Sequence, residues 1–395
     1  MGALSGIRVL DLGVLVQAPQ AALLLGDMGA TVIKVELPGM GDQSRWIPAT
    51  YGHAESGYWI GCNRGKQSVT IDLRKPEGRD VFLRLADTAD VVVSNFKPGT
   101  LDEWGLGYEV LAARNPRVIY ATGATFGAIG SLAHLEGADL AGQAAGGLIS
   151  TTGVDGGPVT PMGATIADHM SSQHLASGIL AALFARHATG RGQRVDVSLV
   201  GGAIWAQASE FSAYLASGKI PGRANGGHPL INGTYGILAT ANGHIAIVGV
   251  VAAARAPFAE LIGIEGLFED PRFAAPLMSQ ENKIALLATL GPIFGAKTTE
   301  EWVVALRALG VRCAPVRDYA AIVADPGMYE NGYLVKAQDP DRGEVTVVGS
   351  PLRMSDTPMV PSVRAPELGE HTEEILLGLG LDWDEIAALR EVGAI

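Results

Sequence analysis

The stretch of sequence that decides the fold is residues 6–36, GIRVLDLGVLVQAPQAALLLGDMGATVIKVE. Its apolar run from Ile7 to Leu12 predicts a buried strand, and Ala21 to Met28 predicts a helix that ends at Gly29. A second strand is predicted from Thr31 to Val35. A strand, a helix and a strand in this order form the opening unit of a parallel α/β sheet.

The same alternation continues to about residue 120. Further strands are predicted at Val69–Leu73, Val91–Val93 and Arg117–Ala121. A helix is predicted at Glu77–Ala86, directly after Pro76, which suits the first turn of a helix. The sequence therefore predicts an α/β fold with a doubly wound sheet.

The rest of the chain predicts a second, smaller region. A long helix is expected from Thr165 to His187, and Pro221–Gly233 has the Gly, Pro and Asn content of a boundary. Ile237–Val250 has strand patterns on either side of a turn, and Lys283–Leu309 has a helical pattern. A final helix is predicted at Trp383–Val392.

Composition limits the class of protein. The chain has 395 residues, too many for one simple core, and 48% of them are hydrophobic while 18% are charged. A net charge of −12 argues against nucleic-acid binding, which needs a basic face. Two distant cysteines provide neither a disulfide framework nor a zinc motif. Without a signal peptide or a membrane-length apolar run, a cytoplasmic protein is expected.

Asp168 is the leading candidate for chemistry. The run from Thr165 to Asp168 fits a capping pattern, in which Thr165 is the N-cap and Asp168 lies three residues later. One interpretation is that Asp168 only caps the helix. In the other, the positive end of the helix keeps the carboxylate ionised, and the carboxylate attacks an acyl thioester while nearby N–H groups bind the oxyanion.

Other patterns favour a nucleotide-bearing ligand but not a dinucleotide. The first strand–helix turn, Gly13–Pro19, lacks the G-x-G-x-x-G motif. Asn95, Phe96 and Lys97 directly follow a strand and offer an amide, a ring and a cation to an adenine nucleotide. The cysteines have no companion motif and are expected to be buried thiols. The histidines of the long helix do not have the spacing of metal ligands.

A set of ordered motifs carries a family resemblance. These motifs are GIRVLDL at 6–12, GATVIKVE at 29–36, DVVVSNFKPG at 90–99, residues 178–183, TGRGQ at 189–193, CAPV at 313–316 and GEHT at 369–372. In this order and spacing the chain resembles the family III CoA-transferases, which share a fold with α-methylacyl-CoA racemase.

The resemblance implies an architecture and a reaction. A large Rossmann-like, CoA-binding domain would comprise residues 1–220 and 326–395, and a small domain residues 221–325. Two subunits would be threaded together as an interlocked homodimer. The substrates would be an acyl-CoA and a small carboxylic acid, with no prosthetic group, no metal, no nucleic acid and no membrane. The reaction would move CoA through an aspartyl-acyl anhydride and an aspartyl-CoA thioester.

The resemblance also assigns site residues. Asp168 falls on the nucleophilic aspartate of the family. The positions that fall on CoA- and substrate-binding segments are Val16 and Gln17 near the thioester, Ile71 and Arg74 near the adenine and phosphates, Asn95, Phe96 and Lys97, and Ala138 and Asp139 near the pantetheine and acyl end.

Some positions depart from the family pattern. Gln17 lies one place later than the glutamine of the oxalate enzyme. Leu37 and Glu103 stand where that enzyme has cofactor-binding arginines. Oxalate specificity is therefore not expected, and phosphate contacts must come partly from other residues.

Two alternative functions stay open. A racemase needs a second acid–base group opposite the aspartate, and the histidine expected for that task is replaced by Ala138. Transfer is favoured over racemisation for that reason. The other alternative is a non-catalytic acyl-CoA-binding protein, which the presence of Asp168 at a helix start disfavours.

Overall fold

The computed structural model describes residues 2–47, 56–275, 278–339 and 343–395. The strands are β1 (Arg8–Asp11), β2 (Thr31–Glu36), β3 (Gln67–Thr70), β4 (Val91–Ser94), β5 (Ile119–Ala124), β6 (Arg194–Ser198), β7 (Tyr235–Ala239), β8 (His244–Val248), β9 (Cys313–Pro315), β10 (Leu334–Asp339) and β11 (Gly343–Val348). The α-helices are α1 (Gln17–Asp27), α2 (Gly57–Asn63), α3 (Pro76–Ala86), α4 (Thr100–Glu103), α5 (Tyr108–Arg114), α6 (Asp139–Ala145), α7 (Leu148–Thr151), α8 (Ile166–Thr189), α9 (Leu199–Trp205), α10 (Ala208–Ser217), α11 (Arg255–Leu261), α12 (Gln280–Phe294), α13 (Thr299–Ala308), α14 (Tyr319–Val323), α15 (Pro326–Glu330), α16 (Thr372–Gly378) and α17 (Trp383–Glu391).

A six-stranded parallel sheet organises the chain, in the order β3-β2-β1-β4-β5-β6. The chain builds outward from β1 and then returns to the other side of β1 at β4. The order of the sheet therefore reverses between β1 and β4, where open α/β sheets usually bind ligands. The predicted Rossmann-like α/β fold is confirmed, with shifts of a few residues. The first helix begins at Gln17 rather than Ala21, and β3 ends at Thr70 rather than Leu73.

Neighbouring residues of each strand face opposite layers, as the pleat requires. Val9 and its neighbours in the sheet pack against α1 and α8, in a cluster with Leu25, Leu175 and Ile179. Leu10 faces the other layer, where α3, α16 and α17 supply the packing. The sheet is thus covered on both sides, which explains why the central strand β4 is almost entirely apolar and fully buried.

Residues near the two ends of the sequence build one layer together. The Ser68 N–H donates to His371 Nδ1 at 3.2 Å, and the Thr70 N–H donates to Thr372 Oγ1 at 3.0 Å. Leu376 and Ile386 are buried in the same cluster as Leu10. The outer strand β3 is therefore held by residues about 300 positions later in the sequence.

The chain divides into two compact units. One comprises residues 1–146, 163–206 and 325–395, and the other comprises residues 147–162 and 207–324. In the second unit, β7, β8 and β9 form an antiparallel sheet. Its core includes the stacked rings of Phe294 and Trp302, whose centroids are 4.3 Å apart. The predicted domain boundaries, at residues 220–221 and 325–326, stay a prediction.

The helical pattern of Lys283–Leu309 corresponds to two helices, α12 and α13. The second begins with a capping box, in which Thr298 and Glu301 satisfy each other's backbone N–H groups. The helical spacing of apolar residues continues on both sides of the turn between α12 and α13, so the sequence pattern does not show where one helix ends and the next begins.

Candidate active site

The loop after β1 lies at the point where the sheet order reverses. The Val14 N–H donates to Asn95 Oδ1 at 2.7 Å, and Asn95 Nδ2 donates to the Val14 carbonyl at 2.9 Å. The next residue, Leu15, has a positive φ of 63°, and its N–H donates to Asp42 Oδ1 at 3.0 Å. A left-handed leucine is uncommon, so these side-chain contacts hold the loop in place. Asn95, a predicted CoA contact, therefore also positions the loop that leads to Val16 and Gln17.

A cavity of about 210 Å³ opens beyond the carboxyl ends of β1, β2, β3 and β4. Three predicted CoA contacts, Ile71, Arg74 and Phe96, line this cavity together. Leu37, which stands where the oxalate enzyme has an arginine, also lines it. The Phe96 ring meets the Trp104 ring edge-on, with centroids 5.9 Å apart. The structure thus brings three residues from the ends of two strands, β3 and β4, into one partly aromatic cleft.

The cations near this cavity differ in availability. The Arg74 guanidinium forms a pair of 2.8 Å hydrogen bonds with Asp72 and lowers the pKa of that carboxyl, yet the Arg74 side chain is 60% exposed. The Lys97 ammonium lies 3.4 Å from the Glu136 carboxylate, and both side chains are exposed. The pair of Lys97 is exposed on both sides and contributes little stability, whereas Arg74 faces solvent but is paired with the buried Asp72. Both cations are therefore accessible to a phosphate.

A buried ionic network lies beneath the loop. Lys66 Nζ contacts Asp11 Oδ2 at 2.7 Å, the Pro19 carbonyl and Asn63 Oδ1, while Lys34 Nζ contacts Asp42 Oδ2 at 2.8 Å. Burial opposes the charge of Lys34, but the adjacent carboxylates outweigh burial and raise its pKa. Lys66 directly precedes β3, and its ammonium group is fully engaged inside the protein. This network braces the strand ends rather than presenting cations to a ligand.

Asp168 lies in the first turn of α8, but the capping differs from the prediction. Thr165 occupies the N-cap position without a side-chain hydrogen bond to the helix. The Asp139 carboxylate takes that task, because its Oδ1 accepts from the N–H groups of Ala167 at 2.8 Å and Asp168 at 3.2 Å. Its other oxygen accepts from Gln143 Nε2 at 2.6 Å. Nearby N–H groups were expected to bind an oxyanion, but these two N–H groups of the first turn donate to Asp139.

The Asp168 carboxyl group is partly buried and accepts no hydrogen bond from the residues that the structure describes. Burial, with a smaller contribution from the charge of Asp139, raises its pKa from 3.8 to about 7. The expectation that the helix end keeps this carboxylate fully ionised is therefore wrong near neutral pH. The helix cannot lower the pKa of Asp168 because its first amide donors are directed at Asp139.

Gln17 ties the start of α1 to the first turns of α8. Its Nε2 donates to Ser171 Oγ at 3.0 Å, and Ser171 Oγ donates to the Asp168 carbonyl at 3.0 Å. The side chain of Gln17 is buried against Gly123, at the end of β5, where an added Cβ would lie 2.3 Å from Gln17 Oε1. Glycine at position 123 is thus required for Gln17 to reach α8. Sequence reasoning identified Gln17 but not Ser171, because hydroxyls on helices are common and carry no distinctive pattern.

His169 faces α1 rather than the carboxyl group of Asp168. Its Nδ1 lies 2.5 Å from Gln20 Oε1, which also accepts from Ser172 Oγ at 2.8 Å. Burial lowers the pKa of His169, although the charge of Asp139 opposes this effect. The imidazole is therefore neutral near pH 7 and helps to dock α8 on α1.

Other nucleophiles and metal sites find no support in the described ranges. Burial raises the pKa of the Cys62 thiol to about 11, which makes it unreactive, and Cys313 is half-buried. Across residues 2–47, 56–275, 278–339 and 343–395, no three His, Cys, Asp or Glu side chains converge on a possible metal position. Within the same ranges, no helix combines the length and apolar character needed to cross a membrane.

Comparison with known proteins identifies the family. The sequence model of CoA-transferase family III matches residues 4–372 of this chain. A succinyl-CoA:mesaconate CoA-transferase of Haloarcula marismortui is 35% identical over 395 residues, which cover 97% of this chain and 98% of the relative. A formyl-CoA:oxalate CoA-transferase of Streptomyces coelicolor is 33% identical over 420 residues, which cover 100% and 99%. A CAIB/BAIF family protein from Brucella suis, solved by crystallography, superposes with a TM-score of 0.85 at 35% identity and covers 96% of this chain and 99% of its own. The chain therefore belongs to CoA-transferase family III and is an enzyme of that type.

Proposed function

We propose that this enzyme moves CoA from an acyl-CoA to a carboxylic acid through covalent intermediates on Asp168. The observation that carries the proposal is the state of this carboxyl group. It stands in the first turn of α8, is partly buried and accepts no hydrogen bond from the described residues. A carboxylate with few hydrogen bonds has its lone pairs available, so once ionised it can act as a nucleophile.

The first half of the reaction loads CoA onto the enzyme. A carboxylate oxygen of Asp168 attacks the thioester carbonyl carbon, the C–S bond breaks, and an aspartyl-acyl anhydride and CoA thiolate form. The thiolate then attacks the aspartyl carbonyl of the anhydride. The donor acid leaves as a carboxylate, and CoA remains as a thioester on Asp168.

The second half reverses these steps with the acceptor. The acceptor carboxylate attacks the aspartyl thioester, which gives a new anhydride and releases CoA thiolate. The thiolate attacks the acyl carbonyl of the acceptor, forms the product thioester and frees Asp168. One thioester is exchanged for another throughout, so no energy source and no prosthetic group is needed.

CoA is proposed to bind along the carboxyl ends of the strands. Its adenine nucleotide would occupy the cavity lined by Ile71, Arg74 and Phe96, with Asn95 at the adjacent loop. The exposed cations of Arg74 and Lys97 would take the phosphates in place of the arginines missing at Leu37 and Glu103. Binding energy from this remote part positions the thioester for attack.

The acyl end of CoA is proposed to reach α8. Val16 and Gln17 would lie beside the thioester, because Gln17 is bonded to Ser171, one helical turn after Asp168. Ala138 and Asp139 precede and begin α6, and Asp139 contacts the backbone of Asp168 directly. The contact of Asp139 with substrate would therefore be indirect, through the conformation of the first turn of α8.

We also propose a homodimer with interlocked subunits, in a cytoplasmic setting. Two separate surfaces favour a second copy as the partner. The Phe184 side chain of α8 is 81% exposed, and α10 buries none of its residues although it is largely apolar. A contiguous exposed apolar surface, such as α10 presents, usually marks a contact surface. The proposed large domain spans residues 1–220 and 326–395, and the small domain residues 221–325.

The racemase alternative lacks an acid–base partner at the position where the resemblance puts it. Ala138 is the N-cap of α6 and has no group that could move a proton. A passive acyl-CoA-binding protein would have no need for a carboxyl group kept partly out of water at a helix start, since this arrangement is unfavourable for folding. CoA transfer is therefore the function that these residues support best.

The test is to trap the intermediate. The relatives named above act on succinyl-CoA with mesaconate and on formyl-CoA with oxalate, so these pairs would open a screen for a donor that turns over. With that donor and no acceptor, intact-protein mass should increase by CoA minus water. Hydroxylamine should release CoA and leave a hydroxamate on the enzyme, and peptide mapping should assign the modification to Asp168. Asp168→Asn should stay unmodified. An unmodified wild-type enzyme that still turns the donor over would rule the mechanism out.

A further inference from the structure

The first turn of α8 is held by a side chain from another helix. Asp139, at the start of α6, accepts from the backbone N–H groups of Ala167 and Asp168, and its second oxygen accepts from Gln143. These are neutral donors, so the negative charge of Asp139 is hydrogen-bonded without being neutralised. A charge of the same sign as the Asp168 carboxylate is therefore fixed beside it.

Other charged groups around α8 are engaged elsewhere. The elements packed on α8 are α1, α6, α9, β5 and β6. Their titratable side chains are Asp27, Asp139, Tyr120, Arg194 and Asp196, while α9 contributes none. Asp27 pairs with Arg64 at 2.6 Å, and Asp196 pairs with Arg194 at 2.9 Å. On α8 itself, His169 is bonded to Gln20. Asp139 is accordingly the charge that acts on the Asp168 carboxylate.

We propose that Asp139 is a positioning residue that favours the acylated state of Asp168: it fixes the first turn of α8, and its charge destabilises the free carboxylate. This inference rests on the covalent mechanism proposed above. Formation of the anhydride or the thioester removes the negative charge of Asp168. The two carboxylates repel each other in the free enzyme, and this repulsion is absent from each covalent state. Each covalent state is therefore more favourable relative to the free enzyme.

The arrangement has a kinetic consequence as well. The amide donors of the first turn already bind Asp139, so they do not bind and quench the attacking oxygen of Asp168. A nucleophile that is neither hydrogen-bonded nor paired with a cation needs less desolvation on the way to the transition state. The same side chain thus keeps Asp168 reactive and makes its acylated form favourable.

The experiment compares Asp139→Asn with Asp139→Glu. Asparagine keeps an oxygen that can accept from the two N–H groups but removes the charge, whereas glutamate keeps the charge. With the donor that turns over fastest in the exchange assay and a fixed amount of its free acid, the fraction of enzyme carrying aspartyl-CoA should fall about tenfold in Asp139→Asn. The acidic limb of its kcat/KM profile should move to lower pH by about one unit. Asp139→Glu should retain the wild-type acidic limb and most of the thioester.

Controls separate charge from folding and from the mechanism itself. Glu109→Gln removes an exposed acid from the first turn of α5 and should change neither readout. Melting temperature and circular dichroism report whether each variant is folded. If wild-type enzyme forms no thioester, the proposed mechanism fails. If wild type forms it and a folded Asp139→Asn matches wild type in thioester fraction and pH profile, the mechanism stands and the role of Asp139 is refuted. If Asp139→Asn does not fold, Asp139→Glu provides the test. A folded Asp139→Glu whose kcat/KM profile lacks the wild-type acidic limb refutes the role of Asp139.

Discussion

Replacing the proposed nucleophile should make the protein more stable, and increasingly so as the pH rises. Asp168→Asn removes a carboxyl group whose pKa is 3.8 when solvated and about 7 in the folded protein. Between these two values the folded state binds more protons than the unfolded state, so wild-type stability falls as the pH rises. The loss is complete above pH 7. Asparagine is neutral throughout and avoids this loss.

The expected size follows from the same two values. For a carboxyl group with a pKa of about 7 in the folded protein, the free energy of unfolding falls by ~3 kcal/mol between pH 5 and pH 8. Each pH unit in which only the folded state holds the proton lowers it by ~1.36 kcal/mol. Because Asp168 is only partly buried, solvent screening reduces the expected difference to ~1.5 kcal/mol. For a chain of this size that corresponds to ~2 °C in melting temperature.

The assay is urea unfolding of wild type and Asp168→Asn at pH 5, 6, 7 and 8, at one protein concentration and ionic strength. Glu109→Gln, which removes an exposed acid, serves as the control and should show no trend with pH. The free energy of unfolding of Asp168→Asn should exceed that of wild type by an amount that grows from pH 5 to pH 7 and then levels off. An advantage of constant size across this range would refute the reasoning, because it would mean that the carboxyl group ionises as easily in the folded protein as in water.

Three further predictions concern packing, chemistry and assembly. Gly123→Ala should displace Gln17 and lower stability by ~1–3 kcal/mol together with activity, whereas Gly61→Ala, where a new Cβ meets open space, should do neither; chemical denaturation and exchange assays check both. In deuterated water, a 2-methylacyl-CoA should gain no deuterium, since Ala138 provides no second base; uptake as fast as CoA transfer would favour racemisation. In sedimentation at nanomolar concentration the protein should remain a dimer, and a reversible monomer would contradict the threaded architecture.

The sheet could be predicted from sequence because each strand and helix leaves a local pattern. The run from Ile7 to Leu12 and the glycine at 29 mark β1 and the end of α1 without information from the rest of the chain. Exact boundaries depend on tertiary contacts. α1 begins at Gln17 because the loop before it is fixed by Asn95 and Asp42, which lie far along the sequence.

The electrostatic state of Asp168 could not be predicted in the same way. The local pattern drew attention to Thr165 as the cap, whereas the side chain that caps the helix comes from Asp139, 28 positions before Ala167. The pKa of Asp168 depends on burial and on that distant charge. Neither quantity has a signature in the residues next to Asp168, so the position was predictable and its ionisation was not.

Cationic side chains present a similar limit. Lys66, Arg74 and Lys97 all follow or precede strands, so the sequence makes them equal candidates for a phosphate. In the structure, Lys66 is buried against Asp11, 55 positions away, while Arg74 and Lys97 remain accessible. Only the three-dimensional partners distinguish a cation that braces the fold from one that can meet a ligand.

The layer shared by distant parts of the chain has a consequence for synthesis on the ribosome. Leu376, Leu381 and Ile386 complete the apolar layer over Leu10 and Val69, and the Asp72 N–H donates to the Ala394 carbonyl. Translation delivers these residues about 300 positions after β3, so until then this side of the sheet is covered only by α3 and the helices that follow it. An apolar face that is only partly covered favours aggregation and chaperone binding. A chain that lacks Leu376, Leu381 and Ile386 would keep Asp168 but lose part of the apolar layer over the sheet, so it is expected to be degraded more readily than the full chain.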